Sequence, residues 1–198
     1  MPETKAGTLD RRHVMGAILA ARGDALIVTG LGSTTYDAGI VDHPATFYLW
    51  GAMGAASMMG LGLALAQPTR RVVVCTGDGE MLMGLGAFAT IGAKAPPNLS
   101  IVVIDNEHYS ETGMQPTHTG RGVSLSGIAQ ACNFAAARTI YAEAELQVAI
   151  PDLFTTTGPS LLVVKVNTQR YPMSIRLRDG AHIKNRFREH LLGPTAFD

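Results

Sequence analysis

Short runs of apolar, mostly β-branched residues alternate along this chain with segments of helical periodicity. The apolar runs cover residues 25–29, 71–76, 99–105, 137–141 and 160–166. Helices are predicted over residues 11–22, 51–67, 80–94, 124–132, 143–155 and 182–191, with Pro151 expected to shorten or kink the fifth of them. Because strands that alternate with helices form βαβ units, we predict an α/β fold: one doubly wound parallel sheet with helices on both faces.

Composition favours a single globular domain. The 198 residues are 46% hydrophobic and no linker divides them, so we predict one domain over 1–198 with a C-terminal tail or helix at about 170–198. Sixteen basic residues balance sixteen acidic ones, which argues against nucleic acid or a membrane surface as a partner. Residues 1–5 lack the apolar core of a signal peptide, and Cys75 and Cys132 lack metal-ligand spacing. We therefore expect a cytoplasmic protein.

One uncharged segment, residues 44–69, is long enough to span a bilayer. Its many alanines, together with Gly51, Gly54, Gly60 and Gly62, make it much less hydrophobic than a span rich in leucine, isoleucine and valine. A helix that is apolar on all sides is either membrane-spanning or deeply buried. We predict that this segment forms a buried helix, with a membrane span as the alternative.

Glycines and polar residues follow three of the predicted strands. These segments are Gly30-Leu31-Gly32-Ser33-Thr34, Gly77-Asp78-Gly79-Glu80 and Asn106-Glu107-His108-Tyr109. In open parallel sheets ligands bind at the carboxyl ends of the strands, where these three segments would meet. Asp78 and Asn106 supply the hard oxygen atoms that Mg²⁺ prefers, and a helix that begins near Glu80 presents free N–H groups to a phosphate. The alternative is that Asp78 and Asn106 are only turn and cap residues.

Two sequence blocks carry a family resemblance. Gly77-Asp78-Gly79, followed after one helix and one strand by Asn106, resembles the Mg²⁺ and thiamine diphosphate (ThDP) motif of ThDP-dependent enzymes. The block TFYLWGAMGAASMMGLGLALAQ at 46–67 is similar to the segment that precedes this motif in those enzymes. The resemblance covers about residues 23–167 and implies the diphosphate-binding (PP-type) domain of the ThDP-binding fold. DNEHYSETGMQPTHT at 105–119 is most similar to the small subunits of sulfopyruvate decarboxylase and to the related domain of phosphonopyruvate decarboxylase.

The resemblance implies a role for each matching residue. Asp78 and Asn106 would bind Mg²⁺ through their side chains and His108 through its backbone carbonyl. Gly79 and Glu80 would offer backbone N–H groups to the diphosphate, with Ser33 and Thr34 assisting. Met53 would lie under the bent cofactor, with Gly51 facing the aminopyrimidine. The full set of expected cofactor-binding residues is Gly32, Ser33, Thr34, Gly51, Met53, Gly77, Asp78, Gly79, Glu80, Asn106, His108, Tyr109 and Ser110.

The implied activity is decarboxylation of an anionic 2-oxo acid such as sulfopyruvate or phosphonopyruvate, with ThDP as the electron sink. His118 and His108 are candidate catalytic residues, although both could simply be solvated loop residues. The glutamate that activates the aminopyrimidine is expected on a separate pyrimidine-domain subunit, so the resemblance implies an αβ hetero-oligomer of higher order.

Three alternatives to this activity remain. The chain could belong to a ThDP-dependent carboligase or oxidase that uses another 2-oxo acid, or it could be a regulatory protein that binds ThDP without catalysis. A Rossmann dehydrogenase is disfavoured because Thr35 stands where that fingerprint requires its third glycine.

Overall fold

The computed structural model describes residues 7–174 and 177–198, so the expectation about residues 1–5 lies outside the described residues. Six strands form one sheet, in the spatial order 46–48, 26–29, 72–77, 99–105, 160–165 and 136–140, and every neighbouring pair is parallel. Helices pack on both faces of this sheet. The predicted doubly wound α/β architecture is confirmed.

The strands of the main sheet are β1 (Leu26–Thr29), β2 (Thr46–Tyr48), β3 (Val72–Gly77), β4 (Leu99–Asp105), β7 (Ala136–Ile140) and β8 (Ser160–Lys165). A separate antiparallel hairpin consists of β5 (His108–Tyr109) and β6 (Gln115–Pro116). The helices are α1 (Arg11–Ala20), α2 (Ser33–Ala38), α3 (Ala56–Ala66), α4 (Asp78–Met83), α5 (Ala87–Lys94), α6 (Leu125–Ala131), α7 (Glu143–Thr155) and α8 (Gly180–Leu192).

The central strands are buried on both faces and divide the hydrophobic core in two. In β3, Val72 and Val74 contribute to the core beneath α3, α5 and α6, whereas Val73 and Cys75 contribute to the core beneath α1 and α7. Burying a valine side chain of this kind contributes roughly 1.5–3 kcal/mol to stability. This two-sided burial explains why the strands read as continuous apolar runs. Cys75 and Cys132 are both free thiols, and burial raises the pKa of Cys75 to about 12.

The uncharged segment folds as strand β2, a turn and the eleven-residue helix α3. Its small residues serve close packing: a Cβ on Gly60 would lie 2.2 Å from Cγ2 of Val74 in β3. Across residues 7–174 and 177–198, no helix combines the length and the apolar character that a membrane span requires.

Local structure differs from the sequence-based prediction where distant residues come into contact. Helix α3 begins at Ala56 rather than at residue 51, because Ala52 and Gly54 take positive φ angles in the preceding turn. The helix predicted over 80–94 is two helices, α4 and α5, separated near Gly84. A Cβ on Gly84 would lie 2.2 Å from the carbonyl oxygen of Gly54, so the turn and the helix end meet backbone to backbone.

Two short elements and one proline also differ from the prediction. Helix α2 and strand β2, of six and three residues, were not predicted because such short elements give little periodic signal. Pro151 was expected to shorten or kink the helix; α7 continues through this residue to Thr155, so the helix is not shortened, and the kink stays a prediction.

Candidate cofactor-binding site

A cavity of about 760 Å³ opens at the carboxyl ends of β1, β3 and β4. Its lining includes residues of the three segments that the sequence singled out, together with residues 110–112 at the tip of the hairpin. The cavity is lined by His118 and by every expected cofactor-binding residue except Gly51. Such a volume is within the usual range for a small-molecule site.

Asp78 is the first residue of α4 and lies almost fully buried in the wall of this cavity. The hydroxyl of Thr117 donates a hydrogen bond of 2.5 Å to its Oδ2 atom. Burial, and after it the nearby Asp105 carboxylate, raises the pKa of Asp78 to about 7, against the effect of Thr117 and Lys165. A bound cation would oppose this shift and favour the ionised carboxylate.

Asn106 follows the last residue of β4, the strand paired with β3. Its Oδ1 atom accepts a hydrogen bond from the backbone N–H of His108 at 3.0 Å, and its Nδ2 atom lies 3.5 Å from Oγ of Ser110. The ring Nδ1 atom of His108 lies 2.8 Å from the backbone carbonyl oxygen of Asn106. These contacts form a tight turn, and they hold the His108 ring close to the backbone of the turn.

The side chain of Glu80 has a structural role that the sequence did not reveal. Its Oε2 atom accepts a hydrogen bond of 2.9 Å from the backbone N–H of Leu31, in the loop after β1. The carboxylate lies against Gly30, where an added Cβ would be 1.8 Å from Oε2. Burial raises the pKa of Glu80, while hydrogen bonds such as that from Leu31 act against the shift. Glu80 therefore connects the beginning of α4 to the loop that leads into α2, the helix that begins with Ser33 and Thr34.

Gly79 allows the hairpin β5–β6 to pack closely on α4. A Cβ at Gly79 would lie 2.4 Å from Cε1 of Tyr109, so any larger residue would displace the tyrosine ring. The hairpin tip reaches across the cavity to the β1–α2 loop, where Glu111 lies beside Gly32 and accepts a hydrogen bond from Tyr36.

Behind Asp78 lies a buried polar network that sequence reasoning missed. Lys165, at the end of β8, forms ion pairs with Asp105 at 2.9 Å and with Glu107 at 2.5 Å. Burial alone would lower the pKa of Lys165, but these carboxylates outweigh it and raise the pKa. The parallel register pairs Asp105 with Lys165, and that pairing of two charged residues at the ends of apolar strands was the signal available in the sequence.

Arg11 is a second residue that sequence reasoning missed. It projects from the beginning of α1, is mostly buried, and lines the cavity beside Ser33. Its guanidinium forms an ion pair with Asp37 of α2 and lies over the ring of Tyr171. Arg11 thereby joins α1 to the helix that begins at Ser33.

Part of the cavity wall is apolar. It includes Met53 in the turn before α3, Leu82 and Met83 at the end of α4, and Leu85 just after that helix. Met83 is 68% exposed although it is a large apolar residue. The site therefore combines a polar end, at Asp78 and Asn106, with an apolar wall open to solvent.

Comparison of the sequence with known protein families identifies the family of this chain. Residues 32–164, more than half of the chain, match the model described as the thiamine pyrophosphate enzyme, C-terminal TPP binding domain. The chain belongs to this family. The matched part of this TPP-binding domain contains every expected site residue.

Two curated relatives illustrate the relationship. The TPP-binding domain is 42% identical over 127 residues to sulfopyruvate decarboxylase subunit beta of Methanothermobacter thermautotrophicus, covering 64% of this chain and 68% of that protein. It is 36% identical over 182 residues to phosphonopyruvate decarboxylase of Streptomyces viridochromogenes, covering 87% of this chain and 44% of that protein. The chain thus matches less than half the length of the Streptomyces enzyme.

Solved structures support the fold. The TPP-binding domain superposes on benzoylformate decarboxylase from Polynucleobacter necessarius with a TM-score of 0.67 and 20% identity, covering 87% of this chain and 36% of that one. At this identity the likeness shows a shared fold.

Proposed function

We propose that this chain holds the diphosphate and metal end of ThDP in a decarboxylase that acts on an anionic 2-oxo acid. The observation that carries the proposal is the placement of Asp78 and Asn106. They follow paired strands, β3 and β4, and line the same cavity. One carboxylate and one amide oxygen are typical protein ligands of a Mg²⁺ ion that is also bound by phosphates.

The residues present fit this cofactor on two grounds. The donor set consists of hard oxygen atoms, to which the backbone carbonyl of His108 would add a third. The backbone N–H groups of Gly79 and Glu80 begin α4 beside Asp78, and Ser33 and Thr34 face the same cavity.

When bound, ThDP would supply the electron sink for decarboxylation. The chain's own contribution is to bind and orient the cofactor. Asp78, Asn106 and the His108 carbonyl would hold the metal, and Met53 would support the cofactor from the apolar wall. His118 lines the cavity and is our candidate for contact with the substrate, whereas the His108 ring is already bonded to the Asn106 carbonyl.

A separate pyrimidine-domain subunit is part of the proposal. The relative from Methanothermobacter is named as a beta subunit, and the exposed apolar wall at Met83 offers a surface that such a partner would cover. Sulfopyruvate and phosphonopyruvate are the substrates named in the relatives, and both carry a second anionic group.

Asp78→Ala tests the metal site directly. We expect the wild-type chain, with its partner if required, to bind ThDP in the presence of Mg²⁺, and the variant to lose at least about tenfold in affinity because the charged ligand is removed. Isothermal titration with and without Mg²⁺ measures the effect. Asp152→Ala, which removes an exposed carboxylate paired with Arg138, is the matched control. Unchanged Mg²⁺-dependent binding in Asp78→Ala would contradict the site.

Activity is tested by co-expression with a candidate pyrimidine-domain subunit. The complex is assayed on a panel of 2-oxo acids, with analysis of both CO₂ and the organic product. An aldehyde product supports decarboxylation, and a carbon–carbon coupled product would instead indicate a carboligase. Cofactor binding without turnover on any substrate would favour a regulatory role, and full turnover by the chain alone would contradict the need for a partner.

A further inference from the structure

Asp78 and Asp105 are two buried carboxylates linked through the hydroxyls of Thr117 and Thr119, and each is a potential metal ligand. Both are at most 3% exposed. Asp105 ends β4 and Asp78 begins α4, so both lie at the carboxyl end of the sheet. Either carboxylate is chemically suited to bind Mg²⁺. The surrounding contacts distinguish the two.

Both oxygen atoms of Asp105 already have partners. Its Oδ1 atom accepts hydrogen bonds from the backbone N–H of Glu107 at 3.0 Å and from the Thr119 hydroxyl at 2.9 Å. Its Oδ2 atom lies 2.9 Å from Nζ of Lys165. A metal at Asp105 would have to compete with a buried ammonium group for the same oxygen.

The contacts of Asp78 are distributed differently. The hydroxyls of Thr117 and Thr119 both approach Oδ2, at 2.5 and 3.4 Å. The two hydroxyl oxygens lie 2.9 Å apart, and both threonines are fully or almost fully buried. Because the single hydroxyl proton of Thr119 is donated to Asp105 over the shorter distance, the Thr117 hydroxyl is the group that holds Oδ2 of Asp78. The Asp78 residue itself faces the cavity.

We propose that Thr117, with Thr119 behind it, is a positioning residue that holds Oδ2 of Asp78 so that Oδ1 is the atom presented to the metal. Thr119 donates its hydroxyl hydrogen bond to Oδ1 of Asp105, whose Oδ2 atom is paired with Lys165. This inference rests on the proposed function, because it concerns how the same metal site is oriented. Hydrogen-bonding partners of metal ligands are known to change metal affinity by roughly 10–100-fold when removed.

The test compares Thr117→Val, which removes the hydroxyl at nearly constant volume, with Thr117→Ser, which keeps it. Mn²⁺ is titrated in the presence of saturating ThDP, on the purified chain or on its complex with the partner, and free Mn²⁺ is followed by electron paramagnetic resonance. We expect the dissociation constant for Mn²⁺ to rise about tenfold or more in Thr117→Val and to stay within about twofold of wild type in Thr117→Ser.

Thr139→Val is the matched control. The hydroxyl of Thr139, in β7, is hydrogen-bonded to that of Ser126, in α6, and neither residue lines the cavity. It should leave the Mn²⁺ dissociation constant unchanged. The melting temperature without metal is measured for every variant, since a purely structural role of Thr117 would lower that temperature and leave metal affinity intact.

The outcomes separate this inference from the proposed function. If the wild-type chain binds no Mn²⁺ with ThDP even in complex with its partner, the proposed function fails. If wild type binds Mn²⁺ and Thr117→Val binds it equally well, or if Thr117→Ser is as weak as Thr117→Val, the positioning role is overturned. If Thr117→Val does not fold, Thr117→Ala is judged by the same criterion.

Discussion

At the scale of single residues, the structure pairs small residues with the side chains that need their space. Gly30 and Glu80 are fifty positions apart in the chain, yet the Glu80 carboxylate occupies the volume that a Gly30 side chain would take. The same carboxylate bonds the N–H of Leu31. The Glu80 carboxylate can occupy this position because residue 30 has no side chain. We therefore expect the two positions to be energetically coupled.

Gly30→Ala tests this coupling. In the wild-type background we expect it to lower the free energy of unfolding by about 1–3 kcal/mol, because the added methyl group displaces the buried carboxylate. In a Glu80→Ala background the same change should cost much less. Urea unfolding of the four proteins gives the coupling energy.

Gly16→Ala in α1 is the control for this cycle, since nothing lies within 4 Å of a Cβ at that position. It should stabilise the helix by about 0.5–1 kcal/mol in both backgrounds. Equal costs of Gly30→Ala with and without Glu80 would show that the two residues are independent.

At the scale of elements, the C-terminal helix α8 packs on the edge strand β2 through Phe187 and forms an ion pair, Arg186 with Asp42, beside that strand. Arg186 donates hydrogen bonds to both carboxylate oxygens of Asp42, at 2.6 and 3.0 Å, and the Tyr48 hydroxyl of β2 donates to the same carboxylate at 2.7 Å. Burial alone would raise the pKa of Asp42, but these hydrogen bonds outweigh it and lower the pKa below its usual value of 3.8.

This lowered pKa predicts an acid-dependent loss of stability. A carboxyl group that is more acidic in the folded state stabilises the fold fully above its unfolded pKa, and the contribution is lost as the pH falls through the folded value. We expect Asp42→Asn to cost about 1 kcal/mol in unfolding free energy at pH 6. The difference from wild type should shrink below about pH 4, as measured by urea unfolding from pH 3 to 6. A difference that stays constant over this range would contradict the assignment.

At the scale of the whole molecule, the cavity is polar at one end and open along an apolar wall. Met83 on this wall is 68% exposed, and so is Met173, which lies outside the cavity lining. The proposed pyrimidine-domain subunit would cover Met83, which lines the cavity, and we expect it to leave Met173 exposed.

Methionine oxidation distinguishes the two positions. In the chain alone, we expect hydrogen peroxide to convert Met83 and Met173 to sulfoxides at similar rates, because their exposure is equal. In the complex with its partner, Met83 should be protected severalfold while Met173 remains reactive. Peptide mass spectrometry measures both rates. Equal protection, or none, would show that the partner does not lie on this wall.

Much of the architecture could be predicted from local pattern. The central strands are buried on both faces and therefore appear as continuous apolar runs, and Asp78 and Asn106 were placed together because they follow two such runs. What the sequence did not reveal depends on contacts between distant residues. The break before α5 arises where Gly84 meets Gly54, and the bond from Leu31 to Glu80 and the hydroxyl contacts of Thr117 appear only once the chain is folded.

The backbone contact between Gly54 and Gly84 has a consequence for the ligands that the site can accept. It joins the turn that carries Met53 to the end of the short helix that begins at Asp78. The spacing between Met53 and Asp78 is therefore set by six helical residues and one contact that leaves no space for adjustment. If Met53 and Asp78 hold the two ends of ThDP as proposed, a cofactor analogue with one extra methylene between its ring and its diphosphate should bind more weakly than ThDP, because this spacing cannot lengthen to accommodate it.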